Sequence, residues 1–480
     1  RTRDEWMALA PMRKSGLFVT MDDGKSEITV PGNFVDVNGP EDQSINNVFL
    51  EAEFIDSSQA QNLFSQHLPS KAMQYSPSAL QKSDLLKGLK VLDLTNLVAG
   101  PTSTYTLAQY GAEVIKADPP DTVNFSLVSS SMLEVNQGKH SILTDVKTTR
   151  GREIFLRLVN WADVVVHNCI DGIAERLGVT QTQLQAINPS VVVCQFSAYG
   201  GTWRDRGGWE RRPGFDNQAQ AVSGMMMHYG TEENPQLHGM ITCGDIMGGI
   251  GGAFATLLGV YYWRKTGCAS EARCSLARMI NYIQLPCMIS EKGCSDWGEA
   301  QGQFTWGESA NKRIYLCSDR WIYIEATEDL VKSLVEIVTG KHCVEKQQID
   351  QQTLESAFIQ KPSEHWRLKL EAVGIACHVV ITGDDISSQI QKEVGNDATN
   401  EAATGSAEFY VRNEHPCGSP IVSIAPSWVR VGKNHSYRRL TPAPKYGENT
   451  REILSTLGYS SEEIEDLIHE KVSHEYLPPM

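Results

Sequence analysis

Asp245 is the residue whose type and position most clearly suggest chemistry. It stands in the run GDIMGGIGG, Gly244 to Gly252, at the beginning of a long uncharged segment. A carboxylate can attack an activated acyl group and carry it as a covalent intermediate. The free N–H groups and the dipole at a helix start favour negative charge, so we expect a charged carboxylate there. From position alone an aspartate that only caps a helix is the commoner case. The glycines are expected to let a substrate approach the backbone.

The other reactive residue types form no metal site in the sequence. The eleven cysteines are scattered, without a CxxC pair or a Cys/His cluster at zinc spacing. They are typical of reduced thiols in a cytoplasmic protein, packed as small hydrophobes. Lys and Arg number 43 against 58 Asp and Glu, which gives a net charge of −15. This acidic balance argues against a nucleic-acid or anionic-membrane binder.

The uncharged segment that follows Asp245 is long enough to be considered as a membrane span. It runs from Ile246 to Trp263 and contains a GxxxG pair, Gly248 and Gly252. It is rich in glycine, lies at the lower length limit for a span, and belongs to a chain of mean hydropathy −0.29. We therefore expect a buried central helix, which ends where Gly267 follows Arg264 and Lys265.

Strands and helices alternate in the part of the chain that would position Asp245. Apolar strand runs are interleaved with helical segments, which predicts a parallel, Rossmann-like sheet covered on both faces. The first strand is followed by NLVAGP instead of GxGxxG, so the dinucleotide fingerprint is missing. The expected strands are Leu89–Thr95, Ala112–Ala117, Asp163–Asn168 and Val191–Ser197, and the expected helices include 149–160, 180–187 and 216–227.

Composition shifts predict four segments. Residues 1–85 are turn-rich and are expected to be an N-terminal extension or linker, and residues 86–311 a large Rossmann-like domain. The hairpin pattern RIYLCSDRWIYIEAT opens a smaller α+β domain, 312–425, and residues 426–480 are expected to return to the large domain.

Three segments together resemble the family III CoA-transferases, which include formyl-CoA and carnitine CoA-transferases and, as a relative, alpha-methylacyl-CoA racemase. The resemblance implies that family's fold, an acyl-CoA co-substrate, no metal, and a small carboxylic acid as the second substrate. The order and spacing of the matching segments make the resemblance specific. The segments are Gly88–Pro120, Ala162–Gly178 and Arg212–Gly267, and Thr441–Leu454 resembles the family's closing segment.

The resemblance also assigns roles to single residues. Asp245 matches the aspartate that forms an aspartyl-CoA thioester, which outweighs the capping interpretation. A surface charge remains the alternative for each cation taken alone, and Lys116 is a weaker candidate. Val98 stands where formyl-CoA transferases carry a Gln, which argues against oxalate as acceptor. The residues that match CoA contacts, or are expected to supply the cations CoA requires, are Val98, Ala99, Lys139, Lys147, Asn168 and Arg176.

Racemisation is the alternative activity on this scaffold. Racemases of this type pair the aspartate with the His of a GHD motif, because moving an α proton requires an acid and a base. Here the motif reads Pro213-Gly214-Phe215-Asp216, with Phe in place of His. His228 and His238 lie nearby in sequence, but the pattern favours transfer.

Aromatic residues near the expected site suggest the acceptor. Such rings can enclose a sulfonium or quaternary ammonium group, although core packing explains each equally well. Together with the resemblance, they favour a small zwitterionic acid such as dimethylsulfoniopropionate, followed by lyase release of dimethyl sulfide. A carnitine- or betaine-type transferase without the lyase step is the alternative. The rings are Trp203, Trp209, Trp297 and Trp306, and Glu299 and Glu308 are candidate bases by proximity alone.

The opening RTRDEWMALAPMRKSG resembles a helix that lies far downstream in this family, where Ser363–Val380 stands in this chain. This texture suggests that residues 1–85 are the tail of a preceding copy in a tandem protein. The resemblance implies an interlocked homodimer or such a tandem-copy partner domain.

Overall fold

The structure is a computed structural model with side chains. The longer stretches it describes are residues 17–22, 27–32, 34–38, 85–120, 134–200, 212–239, 242–288, 305–340, 350–386, 408–412, 421–425 and 440–475, with a few shorter pieces.

The strands of these residues are numbered in chain order. They are β1 (Phe18–Asp22), β2 (Glu27–Pro31), β3 (Val35–Asn38), β4 (Lys90–Asp93), β5 (Glu113–Asp118), β6 (His140–Thr144), β7 (Val164–His167), β8 (Val192–Ser197), β9 (Glu271–Ser275), β10 (Ser290–Glu291), β11 (Gly307–Ser309), β12 (Lys312–Leu316), β13 (Trp321–Glu325), β14 (Ala376–Val379), β15 (Glu408–Arg412), β16 (Ile421–Ala425) and β17 (Ser473–His474).

The α-helices are numbered in the same way. They are α1 (Ala99–Gln109), α2 (Thr149–Trp161), α3 (Asp171–Leu177), α4 (Gln181–Gln185), α5 (Asp216–Val222), α6 (Met225–Tyr229), α7 (Met247–Thr266), α8 (Leu276–Ile283), α9 (Val331–Thr339), α10 (Gln351–Phe358), α11 (Ser363–Glu371), α12 (Thr450–Thr456) and α13 (Ser461–His469). A π-helical turn, Thr242–Ile246, leads directly into α7.

The chain divides into two compact units. The first comprises residues 1–226, 237–295 and 401–480, and the second comprises 227–236 and 296–400. The sequence-based boundaries differ from these, since they placed the small domain at 312–425, and the β15–β16 hairpin falls in the first unit.

The first unit is organised around an eight-stranded sheet. Its strand order is β17-β6-β5-β4-β7-β8-β9-β3, and the six strands from β6 to β9 in that order run parallel. Side chains alternate between two cores, because successive residues of a strand point to opposite faces. Val164 and Val166 face one core and Val165 the other, and all three are fully buried. This confirms the predicted Rossmann-like parallel sheet.

Helix α7 is the central helix that the uncharged segment predicts. The helical stretch Cys243–Thr266 is long and apolar enough to cross a membrane, but most of it is buried within the protein. It ends at Gly267, whose φ of 74° is in the left-handed region that glycine adopts easily.

The glycines of α7 serve helix packing, which corrects the expectation that they admit substrate. A Cβ at Gly249 would lie 2.8 Å from the carbonyl oxygen of Ala99, and one at Gly248 2.8 Å from the ring of Phe196. A Cβ at Gly251 would lie 2.5 Å from the sulfur of Met279. The glycines are therefore required because helix α1, strand β8 and helix α8 approach the α7 backbone closely.

Part of the expected N-terminal extension belongs to the first unit's framework. Val35–Asn38 pairs antiparallel with β9 at the edge of the main sheet. Trp6 is fully buried and donates its indole N–H to Asn281 Oδ1 at 3.0 Å. Within the described residues, residues 1–85 therefore contribute an edge strand and a core side chain, and do not act as a linker throughout.

The second unit is a smaller α+β structure. An antiparallel sheet of order β11-β12-β13-β14 carries helices α9, α10 and α11. The predicted hairpin is confirmed, with Leu316 opposite Trp321 next to its turn. Tyr315, Ile322, Phe358 and Trp366 are buried in its core.

Candidate functional site

The carboxyl ends of the parallel strands form the edge of the sheet where a site is expected. The chain passes from β4 to β5 on one side and later to β7 on the other, so the strand order reverses between β4 and β7. Ligands of open α/β sheets bind in the crevice at such a switch point. Asn96 and Asn168 follow these two strands. Asn96 N–H donates to Asn168 Oδ1 at 3.0 Å, and Asn168 Nδ2 donates to the Asn96 carbonyl at 2.9 Å.

The loop between β4 and α1 carries a strained residue. Leu97 has a φ of 68°, a backbone angle that residues other than glycine rarely adopt. The next two residues, Val98 and Ala99, are buried and begin α1, where the Val98 carbonyl accepts the N–H of Thr102 at 2.8 Å. The loop thus aims the first turn of α1 at the crevice.

A network of buried charges supports this loop. Lys139 Nζ lies 2.9 Å from Asp93 Oδ2, and both side chains are fully buried. Lys116 Nζ lies 2.8 Å from Asp118 Oδ1 and donates to the Thr95 carbonyl at 2.6 Å. Burial pushes the pKa of Asp93 up, but the two lysines and hydrogen bonds from threonines outweigh it and hold that pKa well below its usual range.

The sequence predicted that Lys139 contacts CoA, but in the structure its ammonium group is bonded inside the protein. Its ammonium donates to Asp93 Oδ2, to the Pro101 carbonyl and to Asn136 Oδ1, each at 2.9 Å. An ammonium has three N–H donors, so all are engaged inside the protein. In this structure Lys139 supports the first turn of α1 and presents no free donor to a phosphate.

Asp245 lies in the π-helical turn, two residues before α7 begins at Met247. Asp216 Oδ2 accepts the backbone N–H groups of Gly244 and Asp245, each at 2.9 Å. Burial, and then the charge of Asp216, raise the pKa of Asp245 to about 7. The expectation of a carboxylate stabilised by free N–H groups is therefore corrected, because Asp216 already accepts the N–H groups of Gly244 and Asp245 and the pKa of Asp245 is raised.

Helix packing brings the turn that carries Asp245 against helix α1. The π-helical turn contacts α1, and one turn later the α7 backbone at Gly249 is held against the Ala99 carbonyl. The structure thus assembles Asp245, Val98 and Ala99 in one region of the first unit.

The remaining cations of the predicted set are exposed. Lys147 lies in the loop after β6, and Arg176 in the last turn of α3. Arg152 joins the start of α2 to the end of α3 by donating to the Leu177 carbonyl at 2.7 Å. Within the residues described, no ion pair includes Lys147 or Arg176, so both charges face solvent.

The described aromatic candidates, Trp209 and Trp306, belong to different units. Trp209 packs on Tyr199 at 5.1 Å between ring centroids, and the Arg212 guanidinium lies over its ring at 4.6 Å. Trp306 belongs to the second unit and packs on Trp321 at 4.9 Å. Of the candidate bases, Glu308 is exposed and lies 3.9 Å from Lys312 Nζ. Trp203, Trp297 and Glu299 lie outside the described residues.

Sequence reasoning named His238 and Asp216 but missed the two polar residues that contact them beside the Asp245 turn, Cys243 and Gln220. Cys243 Sγ lies 2.9 Å from Nδ1 of His238. Gln220 donates to Asp216 Oδ1 and accepts the backbone N–H of His238 at 3.0 Å. The GFD motif was the available signal, because its Asp216 begins α5 and four residues later Gln220 lies on the same helix face.

Comparison with known proteins extends the geometric findings. The chain matches the model of CoA-transferase family III over residues 86–450. It is 31% identical over 403 residues to the CoA-transferase/lyase DddD of Marinomonas sp. (strain MWYL1), a region that covers 82% of this chain and 47% of that protein. The chain thus spans about half the length of that relative.

A second relative is matched over most of its length. The chain is 26% identical to the succinyl-CoA:glutarate CoA-transferase of Mus musculus, over 80% of this chain and 89% of that protein. The fold is also similar to that of a CAIB/BAIF family protein from Brucella suis, with a TM-score of 0.61 and 22% identity over 78% of this chain and all of that one.

Proposed function

The chain belongs to CoA-transferase family III, and on that premise we propose that Asp245 carries CoA from an acyl-CoA donor to a small carboxylic acid. The Asp245 carboxylate attacks the thioester carbonyl, forms a mixed anhydride and releases the CoA thiolate. The thiolate attacks the aspartyl carbonyl, which gives an aspartyl-CoA thioester and frees the donor acid. The acceptor carboxylate repeats these steps in reverse and restores Asp245.

The environment of Asp245 is the observation that carries this proposal. Its carboxyl group is partly buried, its backbone is fixed by Asp216, and its pKa is raised to about 7. A carboxylate of raised pKa is a stronger nucleophile than an ordinary one, yet much of it is still ionised near neutral pH. Removal from water also lowers the cost of forming a neutral anhydride, because less hydration must be given up.

The switch-point crevice supports binding of CoA as co-substrate. Asn168 fixes the loop after β4 to the loop after β7, and Val98 and Ala99 begin the helix beside Asp245. Lys147 and Arg176 supply exposed cations for the phosphates, in a chain whose net charge of −15 would otherwise repel CoA.

For the acceptor we propose a small zwitterionic acid such as dimethylsulfoniopropionate, with subsequent elimination of dimethyl sulfide. The support is the 31% identity to a relative named as a CoA-transferase/lyase. Trp209 is the described aromatic candidate in the unit that contains Asp245, and its ring already makes a cation–π contact with the Arg212 guanidinium, so this ring accepts a cation. The alternatives are a carnitine- or betaine-type transfer without elimination, and racemisation.

We further propose that the protein acts in the cytoplasm as an interlocked homodimer or with a tandem-copy partner domain. An aromatic surface patch supports an additional contact. Phe34 lies 5.5 Å from Phe254 and 4.8 Å from Tyr282 between ring centroids, and both partners are about half exposed. Exposed apolar patches of this kind often mark interfaces.

Intact-mass measurement after incubation with an acyl-CoA tests the transferase. We expect an adduct of CoA or acyl mass that is absent from Asp245→Ala. Absence of an adduct, together with entry of solvent deuterium at the α carbon, would favour racemisation instead. Headspace detection of dimethyl sulfide from dimethylsulfoniopropionate and acetyl-CoA tests the acceptor, and no release would remove it.

A further inference from the structure

A thiol–imidazole pair lies against the turn that carries Asp245. Cys243 Sγ is 2.9 Å from His238 Nδ1, and Cys243 precedes Asp245 by two residues in the π-helical turn. The thiol is buried, whereas the imidazole is exposed. The histidine is therefore exposed to solvent, while the buried sulfur of Cys243 contacts one of its ring nitrogens.

A second set of hydrogen bonds fixes the backbone of the same histidine to Asp216, which supports Asp245. Gln220 Oε1 accepts the His238 backbone N–H at 3.0 Å, and Gln220 Nε2 donates to the Gly239 carbonyl at 3.0 Å and to Asp216 Oδ1. The other oxygen of Asp216 accepts the Asp245 N–H. The backbones of His238 and Asp245 are thus both held by the buried Asp216–Gln220 pair, and the Cys243 contact then orients the ring of His238.

We propose that His238 is the base that removes the α proton of the newly formed acyl-CoA in the elimination step. This rests on the proposed function, since a transferase must first form the thioester that acidifies this proton. His238 takes the proton at Nε2 while Nδ1–H is held by Cys243 Sγ. The C–H electron pair forms the Cα=Cβ bond, the Cβ–S⁺ bond breaks, and neutral dimethyl sulfide leaves with the bonding pair. An imidazolium and an unsaturated acyl-CoA remain.

Exposure of His238 suits this role. A base that acts once per turnover must release its proton, and an exposed ring can pass it directly to water. Cys243 orients the ring, and the amide of Gln220 orients its backbone. His238 is therefore a catalytic residue in this proposal, and Cys243 and Gln220 are positioning residues.

The test compares elimination with CoA-adduct formation in one preparation. The His238→Gln variant is incubated with acetyl-CoA and dimethylsulfoniopropionate, and dimethyl sulfide release is divided by the rate of adduct formation measured by intact mass. General-base catalysis contributes about 10²- to 10⁴-fold, so we expect this ratio to fall at least about 100-fold. His228→Gln is the matched control, for which we expect a change of less than about twofold.

Chemical rescue separates a proton-transfer role from a structural one. Added imidazole is expected to restore elimination by His238→Ala about tenfold or more, in proportion to its concentration, because it supplies the missing base. Cys243→Ser is expected to lower the ratio several-fold without gaining from imidazole. If His238→Gln keeps its ratio, or imidazole gives no rescue, His238 is not the base. If the wild type forms no adduct at all, the failure lies with the proposed transferase.

Discussion

The Asp216 carboxylate and the Asp245 backbone are joined by a 2.9 Å hydrogen bond, although the residues lie 29 positions apart. Asp216 also accepts the N–H of Gly244 at 2.9 Å, and its own side chain is almost completely buried. The Asp216 carboxylate thus fixes the turn and, after burial, is the second cause that raises the pKa of the Asp245 carboxyl group.

Replacing Asp216 should change both stability and pH dependence. Asp216→Asn removes a charge, and its amide oxygen can replace only one of the two Asp216 oxygens. Either the Gln220 amide or the pair of N–H groups of Gly244 and Asp245 then loses its acceptor, so we expect a loss of about 1–3 kcal/mol in the free energy of unfolding. The Asp245 pKa should fall, because its like-charged neighbour is gone. The midpoint of CoA-adduct formation against pH should therefore move below about 7.

Asp163→Asn is the matched control for that variant. Asp163 also accepts a backbone N–H, that of Lys90 at 2.9 Å, but at the opposite edge of the sheet. It should lower stability without moving the midpoint. An unchanged midpoint in Asp216→Asn would show that Asp216 does not tune Asp245.

Asp245→Asn should be more stable than the wild type at alkaline pH. The folded-state pKa of Asp245 is raised from 3.8 to about 7, so folding favours the protonated form. Its contribution to stability is therefore complete below about pH 4 and is lost as pH rises through about 7. The variant avoids this loss, which we put at about 2 kcal/mol after allowance for partial exposure. Denaturant unfolding at pH 5 and pH 8 measures it, and an equal difference at both would contradict it.

Breaking the Asp93–Lys139 pair should destabilise the protein strongly. Both side chains are fully buried, so Lys139→Met removes the ammonium that contacts the Asp93 carboxylate and leaves that charge to Lys116 and the threonine hydrogen bonds. We expect this to cost about 3–5 kcal/mol. Combining it with Asp93→Asn should recover part of this loss. Thermal unfolding measures the effect. Arg367→Gln is the control, since its pairs with Glu364 and Glu371 lie in solvent and should contribute little to stability. If Lys139→Met and Arg367→Gln lowered stability equally, a structural role for Lys139 would be contradicted.

Close packing at Gly249 should make it intolerant of alanine. A Cβ there would lie 2.8 Å from the Ala99 carbonyl, so we expect a loss of about 1–3 kcal/mol and slower adduct formation as α7 shifts from α1. Gly172→Ala is the control, because a Cβ at Gly172 meets nothing within 4 Å and alanine favours helix α3. Gly249→Ala with normal stability and rate would show that α1 and α7 can separate freely.

The sequence was sufficient for elements with a strong local pattern. Apolar runs predicted β4, β5, β7 and β8, and the uncharged segment predicted α7. Strand β9 reads EARCS, which has no apolar run, and β3 joins the sheet only through pairing with residues more than 230 positions away. Such pairing depends on register, which local composition does not encode.

The candidate site shows the same division. Asp245 could be named from its position and the family resemblance, but its charge state depends on Asp216, and that contact exists only after α5 and the π-helical turn meet. Lys139 was assigned to a phosphate because a lysine in a sequence gives no sign of burial, whereas in the fold Asp93 compensates for it.

The exposed cations give the last prediction. If Arg176 binds a CoA phosphate, Arg176→Gln should raise the KM for acyl-CoA about three- to tenfold with little change in kcat, because only ground-state binding is lost. The KM difference should shrink as salt rises from 50 to about 300 mM, since exposed charges are screened. Lys87→Gln is the matched control, as Lys87 is exposed but precedes β4 at the opposite edge of the sheet. Equal effects in the two variants would mean that net charge, and not a phosphate contact at Arg176, controls binding of the co-substrate.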